Sequence, residues 1–305
     1  MATQRDDDTA PPAPVDLLPG ERTRFVDSGG LRLRVREWGA GEAPPIVALH
    51  GLRGFSGTWR ALAAALPGYR LIAIDQRGRG DSDWDPDANY YTDAYLADLE
   101  AVVRTLALPR FVLLGHSMGG TTSYVYAAQN PDRLHALIIE DIAPGSSVSG
   151  AGAERIKAEM AALPLDFADW AEARAYWRKA RPQVSLAAIE QRLAESLCED
   201  GAGRIRWRYD AAGIARTRLA PDPARVVDLW PVVEAIRTPS LVIRGAKSDF
   251  CPAQVVTEME RRNPRFRHVT IADASHYAHD DQPATFHALV QGFLCGVATA
   301  TAAPF

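Results

Sequence analysis

The apolar run Phe111 to Leu114 ends in Gly115-His116-Ser117-Met118-Gly119 and then passes into a helix-forming stretch. A packed core gains nothing from glycines around a polar residue, so the serine reads as one presented to a ligand. The pattern G-x-S-x-G between a strand and a helix marks a sharp, strained turn that lifts the serine Oγ above a sheet edge. Side chains at 115 and 119 would obstruct that turn, and the following helix points its positive end at the hydroxyl.

A serine hydroxyl is a poor nucleophile until a base takes its proton. Of seven histidines, His276 is best placed, in the loop IADASHYAHDDQP directly after the last predicted strand. His279 is its nearest rival, while His135 and His287 fall within a predicted strand and helix. His116, inside the turn, is expected to point away from Ser117. His50 opens HGLRG after another strand and is expected to brace that loop. The backbone there is the more useful part. Acyl transfer develops negative charge on an oxygen, and the amides of Leu52 and Met118 are assigned to receive it. The histidine in turn needs a carboxylate, and two aspartates lie at the same sheet edge: Asp141 at the end of LHALIIED and Asp249 in the loop after TPSLVIRGA.

Positioning these groups requires a particular order of elements. FVDSGGLRLRVREW reads as a hairpin, and PPIVALH, YRLIAIDQ, RFVLLG and LHALIIED as buried strands alternating with helices. Continuous apolar strands in βαβ order imply a mostly parallel α/β sheet covered on both faces. The alternation stops near Asp141 and resumes at TPSLVIRGA, and the intervening segment reads as helices only. A helical insertion after the sixth strand lies at the carboxyl edge of the sheet, where ligands bind, so residues 143–236 are expected to form a cap. The expected division is a disordered tail over 1–20, a core over 21–142 and 237–296, the cap, and a short tail over 297–305.

Composition narrows the partners. With 34 basic and 38 acidic residues the formal net charge is −4, which gives no general attraction to nucleic acid or an anionic membrane. Small molecules are the expected partners, and no run approaches the length of a membrane span. The start, MATQRDDDTAPPAPVD, is acidic and Pro-rich, unlike a signal peptide. Three widely spaced cysteines, Cys198, Cys251 and Cys295, suggest neither a disulfide framework nor a zinc cluster and fit a reducing cytoplasm. Neither G-x-G-x-x-G nor a metal-ligand spacing is present, so no cofactor or metal is expected.

HG after one strand, DQRGRGDS after the next, GHSMGG at the turn and SH near the end together resemble the α/β-hydrolase superfamily, over residues 22–296. The resemblance implies an α/β-hydrolase fold and a chain order of nucleophile, acid, histidine. It also implies that the charges of Asp75, Arg77, Arg79, Asp81 and Ser82 pair to hold their loop. The usual acid position corresponds here to Ser248. A branch of small acyl esterases carries GHSMGG followed by a D-I-A-P segment, with serine at that position. The matching Asp141-Ile142-Ala143-Pro144 and Ser248 therefore imply Asp141 as the acid, with Ser248 bonded to it or to the histidine. The activity implied is cleavage of an ester, thioester or lactone through a Ser117–His276–Asp141 triad and an acyl-enzyme. Amide or carbon–carbon bond hydrolysis, cofactor-free oxygenase or perhydrolase chemistry and a non-catalytic binding module are the competing readings. Phe55 and Trp177 are the expected substrate contacts, with Trp170, Tyr176, Trp207, Tyr209 and Trp230 as further cap aromatics.

Overall fold

The computed structural model describes residues 8–146, 150–182 and 184–300. A hairpin of β1 (Arg22–Ser28) and β2 (Leu31–Trp38) leads into β3 (Pro45–Leu49), α1 (Arg60–Ala65), β4 (Arg70–Ile74), α2 (Thr92–Thr105), β5 (Phe111–His116), α3 (Met118–Gln129) and β6 (Leu134–Glu140). The inserted region holds α4 (Ala151–Ala161), β7 (Asp166–Phe167), α5 (Trp170–Ala180), α6 (Leu186–Ser196), β8 (Leu197–Glu199), β9 (Ile205–Trp207) and α7 (Ala211–Leu219). The chain closes with α8 (Leu229–Ala235), β10 (Ser240–Gly245), α9 (Ala253–Arg262), β11 (Phe266–Ile271), α10 (Ala278–Asp281) and α11 (Pro283–Ala300).

Eight strands form one sheet in the order β1-β2-β4-β3-β5-β6-β10-β11. The hairpin and its junction with β4 are antiparallel, and every other pairing is parallel. Alternate residues of each central strand feed two separate cores. Val47, Leu113 and Ile139 pack under α2, α3, α8 and α9, whereas Ile46, Leu114 and Ile138 pack under α1 and α11. Burial on both faces is why these strands are apolar throughout rather than alternating. All parallel strands deliver their carboxyl ends to one edge, and β5, β6 and the loops after β10 and β11 carry the candidate site there.

Three expectations are corrected. The insertion is not helical throughout, because β7, β9 and β8 form a small antiparallel sheet. Strands of two or three residues are too short to show an alternating pattern. The cap also ends sooner than residue 236: Leu229 and Val233 of α8 belong to the core beneath the main sheet. At the other end, α11 continues past Gly296 to Ala300 with Val297 buried, because Ala and Thr permit a helix that gains burial from an apolar residue. The expected N-terminal tail falls partly on residues 1–7 and the C-terminal one on 301–305, outside the described residues. Residues 8–20 form no helix or strand, yet the Arg174 guanidinium donates to the carbonyls of Asp8 and Ala10. Among the described residues no helix is long and apolar enough to cross a membrane.

Candidate active site

Ser117 occupies the turn between β5 and α3 with φ 52° and ψ −116°, a strained backbone for a residue with a side chain. The flanking glycines are sterically required. A Cβ at Gly115 would lie 2.4 Å from Ser123 Oγ, and one at Gly119 would lie 2.5 Å from the Leu49 carbonyl oxygen. The Ser117 amide donates to the Glu140 carbonyl at 3.0 Å, tying the turn to β6.

Ser117 Oγ lies 2.9 Å from His276 Nε2, and His276 Nδ1 lies 2.7 Å from Asp141 Oδ2. All three side chains are buried. Asp141, also at positive φ, accepts at its other oxygen from the Gly245 amide at 2.9 Å, and Ser248 Oγ donates to Oδ2. These contacts leave the carboxylate one orientation, which holds the proton of the imidazole on Nδ1 and directs bare Nε2 at the serine. Asp249, the other acid at this edge, is directed elsewhere. Arg155 of α4 grips it through Nε and Nη2 at 2.7 and 2.9 Å, and those hydrogen bonds hold its pKa down.

The two loops that carry Leu52 and Met118 meet at Ser117. Met118 is the first residue of α3, where an amide has no acceptor within the helix, and the Leu52 amide donates to no described residue. Beneath them is an unusual cation. Arg79 is fully buried and has no carboxylate partner among the described residues; its Nε donates to the Leu52 carbonyl at 3.0 Å, and Nη2 lies 3.4 Å from Met118 Sδ. The rest of its loop is tied mainly to neighbouring elements: Arg77 forks onto Asp98 of α2 and also binds Asp85, while Asp75 receives the Ser56 amide and Arg34 of β2.

The remaining histidines have separate tasks. His50 donates from Nδ1 to the Gly51 carbonyl and accepts the Gln76 amide at Nε2, and burial pulls its pKa down to about 4, so it braces the loop as a neutral ring. His116 does not turn away from the site: its ring lies tilted against that of His276 with centroids 4.8 Å apart, and Nε2 donates to the His276 carbonyl at 2.8 Å. His279 donates from Nδ1 to Glu140 at 2.8 Å; burial opposes its charge, but Glu140 and Asp280 prevail and raise its pKa. Ligand atoms of His116, Glu140 and His279 lie within 4.8 Å of one another, a metal-type grouping that sequence spacing does not reveal. Their hydrogen bonds to each other and to His276 already engage that set. The sequence drew notice to His116 and Arg79 but gave no signal of these contacts, since both residues act across the fold.

Two cavities open on Ser117. The larger, about 710 Å³, is also lined by His276, Leu52, Tyr176 and Trp177, and the smaller, about 210 Å³, by Leu52, Met118, Ile142 and Phe250. Phe55 lines neither: it is buried where the chain turns into the short helical turn Ser56–Trp59. Trp170, Trp207 and Tyr209 form the cap's own core, and Trp230 packs against the sheet core.

A parallel sheet with a nucleophile-type turn at its carboxyl edge defines the class, and a family model agrees. The chain belongs to the alpha/beta hydrolase fold family, whose model matches residues 44–283. It is 32% identical, over 88% of its length and 97% of the relative's, to a Bacillus subtilis (strain 168) protein provisionally named 2-succinyl-6-hydroxy-2,4-cyclohexadiene-1-carboxylate synthase. It is also 32% identical to the sn-1-specific diacylglycerol lipase ABHD11 of Mus musculus, covering 82% of this chain and 81% of that one. Among solved structures, E-2-(acetamidomethylene)succinate hydrolase superposes with a TM-score of 0.80 at 27% identity, over 90% of this chain and 99% of the other.

Proposed function

We propose that this protein is a serine hydrolase that cleaves a carboxylic ester, thioester or lactone through an acyl-enzyme. The observation that carries the reading is the unbroken hydrogen-bonded sequence Ser117 Oγ, His276, Asp141 at the floor of a cavity. In the first half-reaction Ser117 Oγ attacks the acyl carbon while His276 Nε2 takes its proton. Asp141 stabilises the imidazolium without itself becoming protonated. The Leu52 and Met118 amides receive the oxyanion; His50, donating to the Gly51 carbonyl, holds the peptide that presents the first of them, and Arg79 holds the next peptide through the Leu52 carbonyl. His276 then gives the proton to the leaving oxygen or sulfur, and a water, deprotonated by the same nitrogen, releases the acyl group.

The substrate is a small molecule enclosed between core and cap, and no cofactor is required for these steps. The free cysteines fit a cytoplasmic setting. Amide or carbon–carbon bond cleavage on the same residues is the second reading, favoured by the names of the synthase and of the acetamidomethylene-succinate hydrolase among the relatives. A fluorophosphonate probe should label Ser117, and Ser117→Ala should abolish both labelling and turnover of p-nitrophenyl esters, acyl thioesters or lactones. An unlabelled wild-type protein that turns over none of these classes removes the serine hydrolase reading.

A further inference from the structure

The wall of the larger cavity carries more buried cation than anion. Arg181, just after α5, and Arg192 of α6 both line it, and both pair with the same oxygen of one carboxylate, Asp280 Oδ2. Among the described residues no second carboxylate lies within ion-pair distance of either. Of the other cations lining it, Arg53 and Arg155 share Glu159, with Asp249 also on Arg155, Lys247 pairs with Asp273, and Lys179 is exposed to solvent. One positive charge is thus left over where the two guanidinium side chains are only 13% and 12% exposed. A buried unpaired charge is costly unless a ligand supplies its partner. Burial, with the like charge of Arg192, pulls the Arg181 pKa down against the opposing pull of Tyr277, Asp280 and Asp281.

Both guanidinium planes are held ready. Arg181 Cζ lies 3.5 Å from the Tyr277 ring centroid and Arg192 Cζ 5.2 Å from that of Trp177, so an aromatic ring backs each guanidinium. The fork of an arginine matches a carboxylate in shape and charge. Position then assigns the part of the substrate that is charged. The Tyr277 and His276 rings are 5.1 Å apart, which puts the arginines on the histidine side of Ser117. The leaving group, which takes its proton from His276 Nε2, faces this cavity. The smaller cavity reaches Ser117 without His276, past Leu52, Ile142, Val227 and Phe250.

We propose that the substrate carries a carboxylate on its leaving-group side, seated on Arg181 and Arg192, with its apolar acyl part in the smaller cavity: an acyl ester or thioester of a hydroxy or mercapto acid. This rests on the serine hydrolase reading. The acyl carbon gains a bond to Ser117 Oγ and loses its bond to the oxygen or sulfur. That atom departs with the proton from His276 as the free hydroxy or mercapto acid. The smaller cavity holds a rival seat, because Arg218 lines it with Nε buried and unpartnered.

The test compares butyrate release from the butyryl ester of 3-hydroxypropanoate with release from the same ester capped as its primary amide. Wild type should favour the carboxylate by on the order of tenfold or more in kcat/KM. Arg181→Met with Arg192→Met should bring that ratio close to one, and Arg192→Lys should keep more of it than Arg192→Met. A third substrate, methyl hemiglutarate, places the charge on the acyl side and should gain nothing over dimethyl glutarate. Equal ratios in wild type, or a preference that collapses in Arg218→Met and survives the double change, overturns the proposal. Calorimetry of 3-hydroxypropanoate with Ser117→Ala separates the two readings: binding that is lost with the arginines supports the seat even if no ester is turned over. Absence of binding alongside active hydrolysis of neutral esters refutes the seat and leaves the hydrolase reading standing.

Discussion

The sheet rim and the cap wall face each other across one cavity and are built on different principles. At the rim every reactive group is tied down through the backbone: Ser117 by a strained turn, Asp141 by the Gly245 amide, and His276 at its carbonyl, which accepts from the His116 side chain. On the cap wall long side chains are held by other side chains, as Arg155 and Glu159 of α4 pair with each other and with Asp249 and Arg53 of the core loops, and Tyr176 and Trp177 meet edge to face. A short, backbone-fixed group loses little freedom when it reacts. A long one can be exchanged without disturbing the sheet. The rim therefore suits chemistry and the cap suits selection.

Substitutions on the two sides should differ accordingly. Ser117→Ala should cost the most, about 10⁶-fold in kcat against a good ester, read in single-turnover assays. Asp141→Asn should follow at about 10⁴-fold, because an amide favours the wrong imidazole tautomer while leaving the geometry intact. A small effect there would mean that the rim does not orient the histidine. His50 tests the rim through stability. Its pKa falls from the ordinary 6.5 to about 4 on burial, so the unfolded chain binds a proton that the native state refuses. Its contribution is complete above pH 6.5 and is lost as the pH falls toward 4, amounting to about 3 kcal/mol. The loss of urea midpoint between pH 7 and 4.5 should shrink in His50→Gln. Smallest of all, Asp249→Asn on the cap-facing side should retain more than about a tenth of kcat/KM, since it touches Arg155 and not His276. If it instead matched Asp141→Asn, rim and cap would not be separable.

Much of the rim was legible before any coordinates. Gly115 and Gly119 announce a close approach of backbone, and the position of His276 after the last strand places it at the same edge as Ser117. Asp141 required more than spacing: Asp249 lies in a loop at that edge too, and only the resemblance in the D-I-A-P segment and Ser248 favoured one over the other. The cap was far less legible. Its three short strands have too few residues to show a period, and α8 reads like its neighbours although it packs under the sheet. Phe55 sits four residues past the HG pair yet turns into the core, since proximity along a loop does not fix which way a side chain faces.

The chain's own order of residues determined the parallel sheet, the strained serine turn and the edge on which the reactive groups gather, because these follow from local sterics and from the burial of apolar strands on two faces. Only the folded arrangement decided which aspartate meets His276, that His116 supports it, and that Arg181 and Arg192 converge on a single carboxylate. Those outcomes depend on contacts between segments some 10² residues apart, where direction and distance are set by packing, and no local pattern records them.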